Sequence, residues 1–513
     1  MLETIILGII VLLFLWWLTQ PNARFKKFGD AIPGPRPYPY FGDMLTAPLT
    51  GPNALDKHVA LARKYNGTYR LYMGNILSVV VSSPEDIEAV LTSNSLINKA
   101  FTYEFLQSWL GTGLLTSTGE KWHARRKIIT PTFHFKILDK FINVFNKHTD
   151  VLIKRLEKHC SQESFDVEML LKRCTLDIIC GNFRFSHFFM FSETAMGIET
   201  DEKSSVIVDY IKSVERIIQI LSDRLTKPWL FSPITYALSG RYFIERKLLK
   251  TLKLFIDEVI NMKQSDEADT KSSSEDFDDF GIKKKTAFLE MLLNIKSQPN
   301  TIIATDKDIM EEVNTFMFAG HDTSVSTLCY SLYLLAVNPK IQDMLYEDLI
   351  KTFHSKDKNF TREDLNEMKF LERVIKETLR LYPTVPFIGR NANEDIKLPS
   401  GYVIPKDAMV IVNIAYSHKN EKQYENPDVF NPDNFLPENV AQRHPFSFIP
   451  FSAGPRNCMG QRFALLEIKT ILAKIVLNYK IEPANGNFKP MPDVKMVLHS
   501  CTGHKLRISK REM

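Results

Sequence analysis

The chain has 513 residues, 44% apolar and 24% charged, which is ordinary for a globular protein and enough for a large core. Its 65 basic and 60 acidic residues leave a net charge of only +5, so nothing in the composition indicates a nucleic-acid partner. The six cysteines include no Cys-x-x-Cys pair and no disulfide-dense spacing, which favours a reducing compartment.

The N-terminus carries an apolar segment. Residues 4–19 are 16 residues without a charge, and two tryptophans lie near the end, where an aromatic belt is expected. The segment is short for a bilayer, which needs about 20 residues, and a cleaved signal peptide is the alternative. The charge before it is Glu3 rather than a base, however, and basic residues follow it. We therefore predict that residues 1–20 form a retained single-pass anchor with the body in the cytosol.

A basic, proline-rich hinge is predicted for residues 21–37, because Pro-Gly-Pro-Arg-Pro at its end cannot continue a helix. Beyond it, short strand signals occur at 69–81, at 396–404 and near the C-terminus, whereas most other segments have helical periodicity. We predict one mainly α domain with a smaller β region over residues 38–513. The polar run 264–286 is interpreted as an exposed loop within it.

Trp122 and Arg126 are four residues apart and share one face of a predicted helix. Both are hydrogen-bond donors, which suits a carboxylate-bearing ligand, although such a pair is more often a cation–π contact. Lys121, Arg125 and Lys127 point elsewhere on this helix. They indicate either a basic patch for an acidic electron donor or ordinary solvated charge.

Residues 305–338 are predicted to form one long helix, with a capping box at its start and a proline after its end. Small Ala319 and Gly320 leave room for a flat cofactor. The Thr323 hydroxyl can bond back to a carbonyl, so a local bulge is expected there.

Cys458 lies in the segment Phe-Ser-Ala-Gly-Pro-Arg-Asn-Cys-Met-Gly. A thiolate is a soft ligand that suits haem iron and must be held by a tight turn, which Gly454 and Gly460 can supply with left-handed backbone angles. Phe451 provides an apolar lid, and Arg456 offers a fork for a haem propionate. A lone cysteine is usually a small buried thiol. The surrounding residue types reverse that expectation.

With the motifs above, this loop resembles those of the cytochrome P450 monooxygenases, and its sequence is similar to the insect-like family 4, the fatty acid hydroxylase branch. The resemblance extends from Pro33 to the C-terminus. It implies haem b bound through the Cys458 thiolate, and O₂-dependent hydroxylation of a lipophilic substrate, expected to be a fatty acid or a related lipid. Members of this branch often carry a glutamate that forms an ester to the haem where this chain has Ala319, so the haem is expected to be otherwise non-covalent.

The resemblance also implies partners. Electrons are expected from NADPH–cytochrome P450 reductase, with cytochrome b5 as a further donor. The location is expected to be the endoplasmic reticulum membrane, with the catalytic domain on the cytosolic side and no nucleic acid bound.

Several residues match positions with known roles in that family. Trp122, Arg126, Arg390 and Arg456 are expected to contact the haem propionates.

The remaining matches concern proton delivery and structural support. Thr323 is expected to hold water by hydrogen bonding and Asp322 to relay protons from solvent, unless Asp322 only pairs with a base and Thr323 only packs. Glu377 and Arg380, three apart near a helix end, are expected to form a buried structural brace. Its usual third partner is an arginine, for which this chain offers Asn434 or Arg443.

An apolar substrate is predicted from the apolar stretch at 101–115, from Phe316 and from residues 385–387, although core packing explains most of these side chains as well. Ala319 makes broad oxidation of xenobiotics or hormones the second hypothesis. A haem protein that does not oxygenate, or a peroxide isomerase, would not need the pair of Asp322 and Thr323.

Overall fold

A computed structural model describes residues 1, 3–9, 16, 20–133, 135–182, 206–270, 288–296 and 302–512. The central part of the predicted anchor and residues 271–286 of the predicted exposed loop lie outside these ranges. No helix among the described residues combines the length and the apolar character required to cross a bilayer.

Helices account for most of the described chain. Beyond residue 20 they are α1 (Ala23–Asp30), α2 (Ala54–Lys64), α3 (Pro84–Thr92), α4 (Gln107–Leu110), α5 (Gly119–Ile129), α6 (Phe135–Glu157), α7 (Glu168–Asn182), α8 (Val206–Thr226), α9 (Pro233–Leu238), α10 (Arg241–Thr270), α11 (Phe288–Lys296), α12 (Asp306–Val337), α13 (Pro339–Phe353), α14 (Arg362–Glu367), α15 (Lys369–Leu381), α16 (Ile414–Ser417), α17 (Pro437–Ala441) and α18 (Gln461–Asn478). Residues 264–270 were expected in a loop, but they continue α10, since extending an existing helix adds a hydrogen bond for each residue fixed.

The strands are short and form a minor part of the fold. They are β1 (Tyr69–Met73), β2 (Ile76–Val81), β3 (Phe165–Asp166), β4 (Phe387–Asn391), β5 (Ile396–Lys397), β6 (Val403–Ile404), β7 (Met409–Asn413), β8 (Tyr479–Pro483), β9 (Pro492–Val494), β10 (Leu498–Ser500) and β11 (Lys505–Lys510). The largest sheet has the order β1-β2-β7-β4, and only its β2–β7 pair is parallel. The predicted mainly α domain with a smaller β region is confirmed.

Helix α12 lies at the centre of the molecule and packs against α7, α15, α18 and β8. Its start is fixed by a complete capping box, in which the Thr305 hydroxyl accepts from the Asp308 amide and the Asp308 carboxylate accepts from the Thr305 amide. Buried residues occur on all its faces, as expected for a helix enclosed by others. The predicted helix and its boundaries are confirmed.

Helix α15 carries a buried ion pair. Arg380 donates two hydrogen bonds of 2.7 Å to the Glu377 carboxylate, and both side chains are fully buried. The other guanidinium hydrogens of Arg380 bond to the carbonyls of His418, Pro427 and Val429. Every charge is therefore matched, which is the condition under which a buried pair is tolerated.

The third partner of this brace is Asn434. Its side-chain amide donates to Glu377 over 3.1 Å, beside the Asn431 amide at 2.8 Å. Arg443 instead donates to the Asn434 carbonyl and lies over the ring of Tyr424. The neutral amide, not Arg443, thus completes the brace.

His418 connects the brace to the segment before Cys458. Its Nε2 accepts from the Ile449 amide at 2.9 Å, and its Nδ1 lies 3.1 Å from the Leu379 carbonyl. Burial lowers the pKa of His418 to about 3, so the ring is neutral, with its proton on Nδ1. The chain leading to the cysteine loop is thereby attached to helix α15.

We predict that Glu377→Ala lowers the free energy of unfolding by about 3–5 kcal/mol, because it leaves the Arg380 charge buried without a partner. Asn434→Ala should cost about 2 kcal/mol, since it removes one hydrogen bond to a charged group. Urea unfolding followed by circular dichroism measures both. Glu157→Ala, which removes only an exposed ion pair with Lys510, is the matched control. Equal stability of the Glu377 variant and this control would contradict the brace.

Candidate active site

A cavity of about 440 Å³ lies between helix α12 and the loop that carries Cys458. Its wall brings together six of the predicted site residues: Trp122, Arg126, Thr323, Phe451, Arg456 and Cys458. Its apolar lining includes Leu106, Leu114, Leu115, Phe133, Phe316, Val385, Pro386, Phe387, Met496 and Val497. Asp322, Arg390, Glu377 and Arg380 are not part of the wall. Trp109 and Leu110, from the stretch expected to line a pocket, are buried in the core, with Trp109 packed on Phe318.

The cysteine loop is a tight turn. The Cys458 amide donates to the Phe451 carbonyl at 2.9 Å, and Gly454 has a φ of +69°. A Cβ at Gly454 would lie 2.0 Å from the Leu91 carbonyl oxygen, so only glycine fits there. Gly460, expected to be left-handed as well, instead has a φ of −83° and caps helix α18. That expectation was wrong because Gly460 is the N-cap of the right-handed helix that begins at Gln461.

The Cys458 sulfur lies on the cavity wall. Burial outweighs the other effects and raises the pKa of the Cys458 thiol above its usual value, although the Gly460 amide hydrogen bond and the charge of Arg126 oppose this rise. Arg126 is fixed by hydrogen bonds of 2.9 and 2.7 Å to the carbonyl and side chain of Asn457. The start of helix α18 adds a partial positive charge. These are the donors expected around a metal-bound thiolate.

Cationic side chains gather beside the cavity. Arg456 stacks on Trp122 at 4.1 Å and donates to three backbone carbonyls, and Arg390 is buried nearby on β4. Lys99 lies on the cavity wall, with its Nζ 4.6 Å above the ring of Tyr103. Sequence reasoning missed Lys99, because a single lysine before an aromatic stretch has no distinguishing pattern.

The cations at this cavity are not balanced by acids, since the described residues that line it include no carboxylate. Burial, together with the charges of Arg390 and Arg456, lowers the pKa of Lys99 well below its usual range. Burial and Arg390 lower the pKa of Arg456 to about 9. A ligand with two carboxylates and a metal that accepts a thiolate would satisfy these groups together. The residues therefore fit haem.

Helix α12 presents Ala319 and Thr323 to the cavity. The Thr323 hydroxyl donates to the Ala319 carbonyl at 2.7 Å, as predicted, but the helix stays regular, so the expected bulge was wrong. The hydroxyl shares the carbonyl with the helix instead of displacing its amide. Gly320 also lines the cavity, as expected, and it has a second reason to be small, because a Cβ there would lie 2.5 Å from Ile179 on helix α7.

Asp322 lies next to Thr323 in sequence but is buried away from the cavity wall. Its carboxylate is 3.2 Å from Nε2 of His499. Asp322 therefore pairs with a base, which was one of the two expectations for this residue. Burial would raise the pKa of Asp322, but the His499 charge outweighs it and lowers the pKa to about 2. Thr323 faces the cavity, however, and does not merely pack.

Glu467 is another buried acid close to the cavity that sequence reasoning missed. It accepts a 2.5 Å hydrogen bond from Ser324, which lies on the wall. Burial raises the pKa of Glu467 to about 8, so it is mainly protonated at neutral pH. Neither Glu467 nor His499 belongs to a local motif, since each contacts helix α12 from a distant part of the chain.

Arg125 does not belong to a surface patch. It is completely buried and pairs with Asp308, Glu311 and Glu312 at 2.6, 3.0 and 2.7 Å. The prediction was wrong because this face of helix α5 meets the acidic start of helix α12. Lys127 remains exposed.

Together, a mainly helical fold, a cavity with a cysteine sulfur on its wall and an excess of cations define a haem-thiolate protein. The family model described as Cytochrome P450 matches residues 32–507. The chain belongs to the cytochrome P450 family and is a haem-dependent monooxygenase. It binds haem b through a cysteine thiolate and receives electrons from a redox partner, as is typical of the family.

Comparison with curated proteins gives the same result. The chain is 40% identical to cytochrome P450 4c21 of Blattella germanica, over 94% of each sequence. It is 36% identical to cytochrome P450 4c3 of Drosophila melanogaster, over 98% of this chain and 93% of the relative. It is also 36% identical to human cytochrome P450 4V2, over 96% and 93% respectively. The predicted resemblance to family 4 is confirmed.

We predict that haem leaves this protein intact on extraction with acidified solvent, because Ala319 puts no carboxylate on the cavity wall. Liquid chromatography with mass detection should find free, unmodified haem and a chain of unmodified mass. Ala319→Glu is the matched variant and should retain part of the haem through an ester. Haem that stays on the wild-type chain would contradict this prediction.

Proposed function

We propose that this enzyme hydroxylates a fatty acid or a related lipid, with electrons from NADPH–cytochrome P450 reductase and cytochrome b5 as a further donor. The observation that carries the proposal is the cavity, whose lining includes apolar residues such as Phe316 and Met496 together with Cys458 and Thr323. Apolar walls stabilise a hydrocarbon chain by removing it from water. The resemblance to the fatty acid hydroxylase branch supports the same substrate class.

Bound haem supplies the activation of O₂ for this reaction. In the proposed site, the Cys458 thiolate would bind the haem iron, and Trp122, Arg126, Arg390 and Arg456 would hold the propionates. Phe451 shields the sulfur from water, which keeps protons away from the thiolate.

On the opposite wall, the Thr323 hydroxyl orients a water at Oγ1 and passes a proton into the cavity. Asp322, one residue earlier, relays protons from solvent toward Thr323. Glu377 and Arg380 act at a distance, by fixing the chain that leads to the cysteine loop.

Broad oxidation of xenobiotics or hormones is the second candidate. It is favoured by Ala319, because a haem without the ester tether is less firmly positioned toward one end of a chain-like substrate.

We also propose that residues 1–20 anchor the chain in the endoplasmic reticulum membrane, that 21–37 form a hinge and that 38–513 form the cytosolic monooxygenase domain. Exposed apolar side chains on this domain support contact with lipid. Trp229, Ile234, Leu238 and Phe243 cluster in sequence between the end of helix α8 and the start of helix α10, and Leu238 is 82% exposed. Such a surface is stabilised by a membrane.

A turnover assay tests the substrate class. The purified enzyme, with reductase and NADPH, should add one oxygen atom from ¹⁸O₂ to fatty acids in a lipid extract, as measured by mass spectrometry. Cys458→Ser, which lacks the thiolate, is the control. Turnover of a xenobiotic panel without any lipid product would favour the second candidate instead.

We predict that Thr323→Ala uncouples the enzyme, since loss of the hydroxyl removes the group that holds the proton-donating water. Product per NADPH should fall by about tenfold or more, and peroxide should rise. Thr327→Ala removes a hydroxyl one turn further along the same wall and is the matched control. Equal coupling in the two variants would contradict the role of Thr323.

Removal of residues 1–20 should release the protein from membranes during an alkaline carbonate wash, whereas the full chain should stay bound. In the shortened chain, Ile234→Asp with Leu238→Asp should further weaken binding to phospholipid vesicles, because charged groups resist burial in lipid. Met344→Asp, at an exposed apolar residue on helix α13, is the control. Unchanged vesicle binding in the double variant would contradict the proposed lipid contact.

A further inference from the structure

A chain of ionisable side chains connects Asp322 to the surface behind helix α12. His499, on β10, lies 3.2 Å from Asp322 through Nε2 and 3.7 Å from Glu168 through Nδ1. Glu168 is in turn 2.5 Å from Lys172, which is 2.6 Å from the half-exposed Glu215. The imidazole therefore lies between two carboxylates.

This arrangement costs free energy unless the ring is charged. Asp322 and His499 are both buried, and their facing atoms, Oδ2 and Nε2, are not aligned for a hydrogen bond. Charge attraction is thus the interaction that offsets the burial of the Asp322 carboxylate. The His499 carbonyl accepts from the Tyr330 hydroxyl at 2.8 Å, which fixes the backbone on which the ring is mounted.

We propose that His499 is a positioning residue for oxygen activation: its imidazolium, held by Glu168, keeps Asp322 ionised and turned away from the cavity. Asp322 then exchanges a proton toward Thr323 only when this ion pair opens. The inference rests on the proposed roles of Asp322 and Thr323. It extends them by assigning the control of Asp322 to a residue on the C-terminal strands.

The charged groups around His499 favour the protonated form of its imidazole ring. Burial lowers the pKa of His499, but Asp322 and Glu168 outweigh burial and raise it to about 9. The other titratable groups near the pair come from helices α7, α8 and α12 and from the chain before β11: Lys172, Tyr210, Glu215, His321, Cys329 and His504.

The pH range of the ion pair follows from these shifts. The His499 pKa is raised from 6.5, so its contribution to stability is complete below about pH 6.5 and is lost as the pH rises through about 9. The Asp322 pKa is lowered from 3.8, so its contribution is complete above about pH 4 and is lost as the pH falls through about 2. The pair is therefore intact at neutral pH and opens on the alkaline side.

Nuclear magnetic resonance of histidine tests the pair without turnover. The full-length, haem-loaded protein, labelled at the histidine ring carbons, is titrated in its diamagnetic ferrous carbon monoxide form. The resonance lost in His499→Arg identifies His499. It should titrate near pH 9, and in Asp322→Asn its midpoint should fall by about one unit or more. A midpoint near 6.5 in the wild type, or no change in Asp322→Asn, would overturn the proposal.

Coupling measurements distinguish positioning from simple packing. His499→Gln removes the charge that restrains Asp322 and should lower product per NADPH about fivefold, because Asp322 then exchanges protons toward Thr323 without control. His499→Arg restores the charge and should recover most of the coupling. The arginine variant should also lose the decline in coupling above about pH 9, since arginine stays charged. His504→Asn is the matched control, because His504 contacts Glu168 at 3.3 Å and does not pair with Asp322.

The outcomes separate this inference from the proposed function. Unchanged coupling in His499→Gln, in an enzyme that Thr323→Ala does uncouple, would overturn the role of His499 alone. A failure of Thr323→Ala to uncouple the enzyme would contradict the proposed relay itself, whatever the titration of His499 shows.

Discussion

One sulfur atom must face a cavity while the loop that carries it stays rigid. The Phe451 carbonyl holds the Cys458 amide, the Leu91 backbone leaves no space for a side chain at Gly454, and Arg126 binds Asn457. Behind the loop, the ion pair of helix α15 acts through His418. The loop is thus restrained by elements distant in sequence, and the cavity, the cationic wall and helix α12 are all arranged around it.

The two neighbouring arginines of helix α5 connect that helix to two different elements. Arg125 turns inward to three acids at the start of helix α12, while Arg126 turns to the cysteine loop. A buried charge without its partners costs several kcal/mol, so the pairing of Arg125 holds helices α5 and α12 firmly together. The position of Arg126 at the cavity follows from the burial of Arg125 beside it.

Local motifs could be predicted from the sequence, but contacts between distant segments could not. The capping box of helix α12, the four-residue spacing of Trp122 and Arg126, and the turn at Gly454 each depend on a few consecutive residues. Lys99, His499 and Glu467 acquire their surroundings only when remote elements pack together, since the groups that shift their pKa values come from distant parts of the chain.

The error at Arg125 has the same physical origin. Arg125 was expected in a basic patch or among solvated charges, but the acidic start of helix α12, on the other side of the contact, decided the outcome. Gly320 lines the cavity as expected, yet its contact with Ile179 could not be predicted from the sequence. Spacing along one element predicts which residues share a face, but it does not predict what that face meets.

The excess of positive charge around the cavity has a consequence for biogenesis. Lys99, Arg390 and Arg456 repel one another unless an anionic group lies among them. A nascent polypeptide that closed this region without its prosthetic group would carry that repulsion, whereas uptake of the group stabilises the closed form by mass action. Maturation of the enzyme is therefore tied to the supply of haem in the cell, and scarcity of haem should lower the yield of the polypeptide itself.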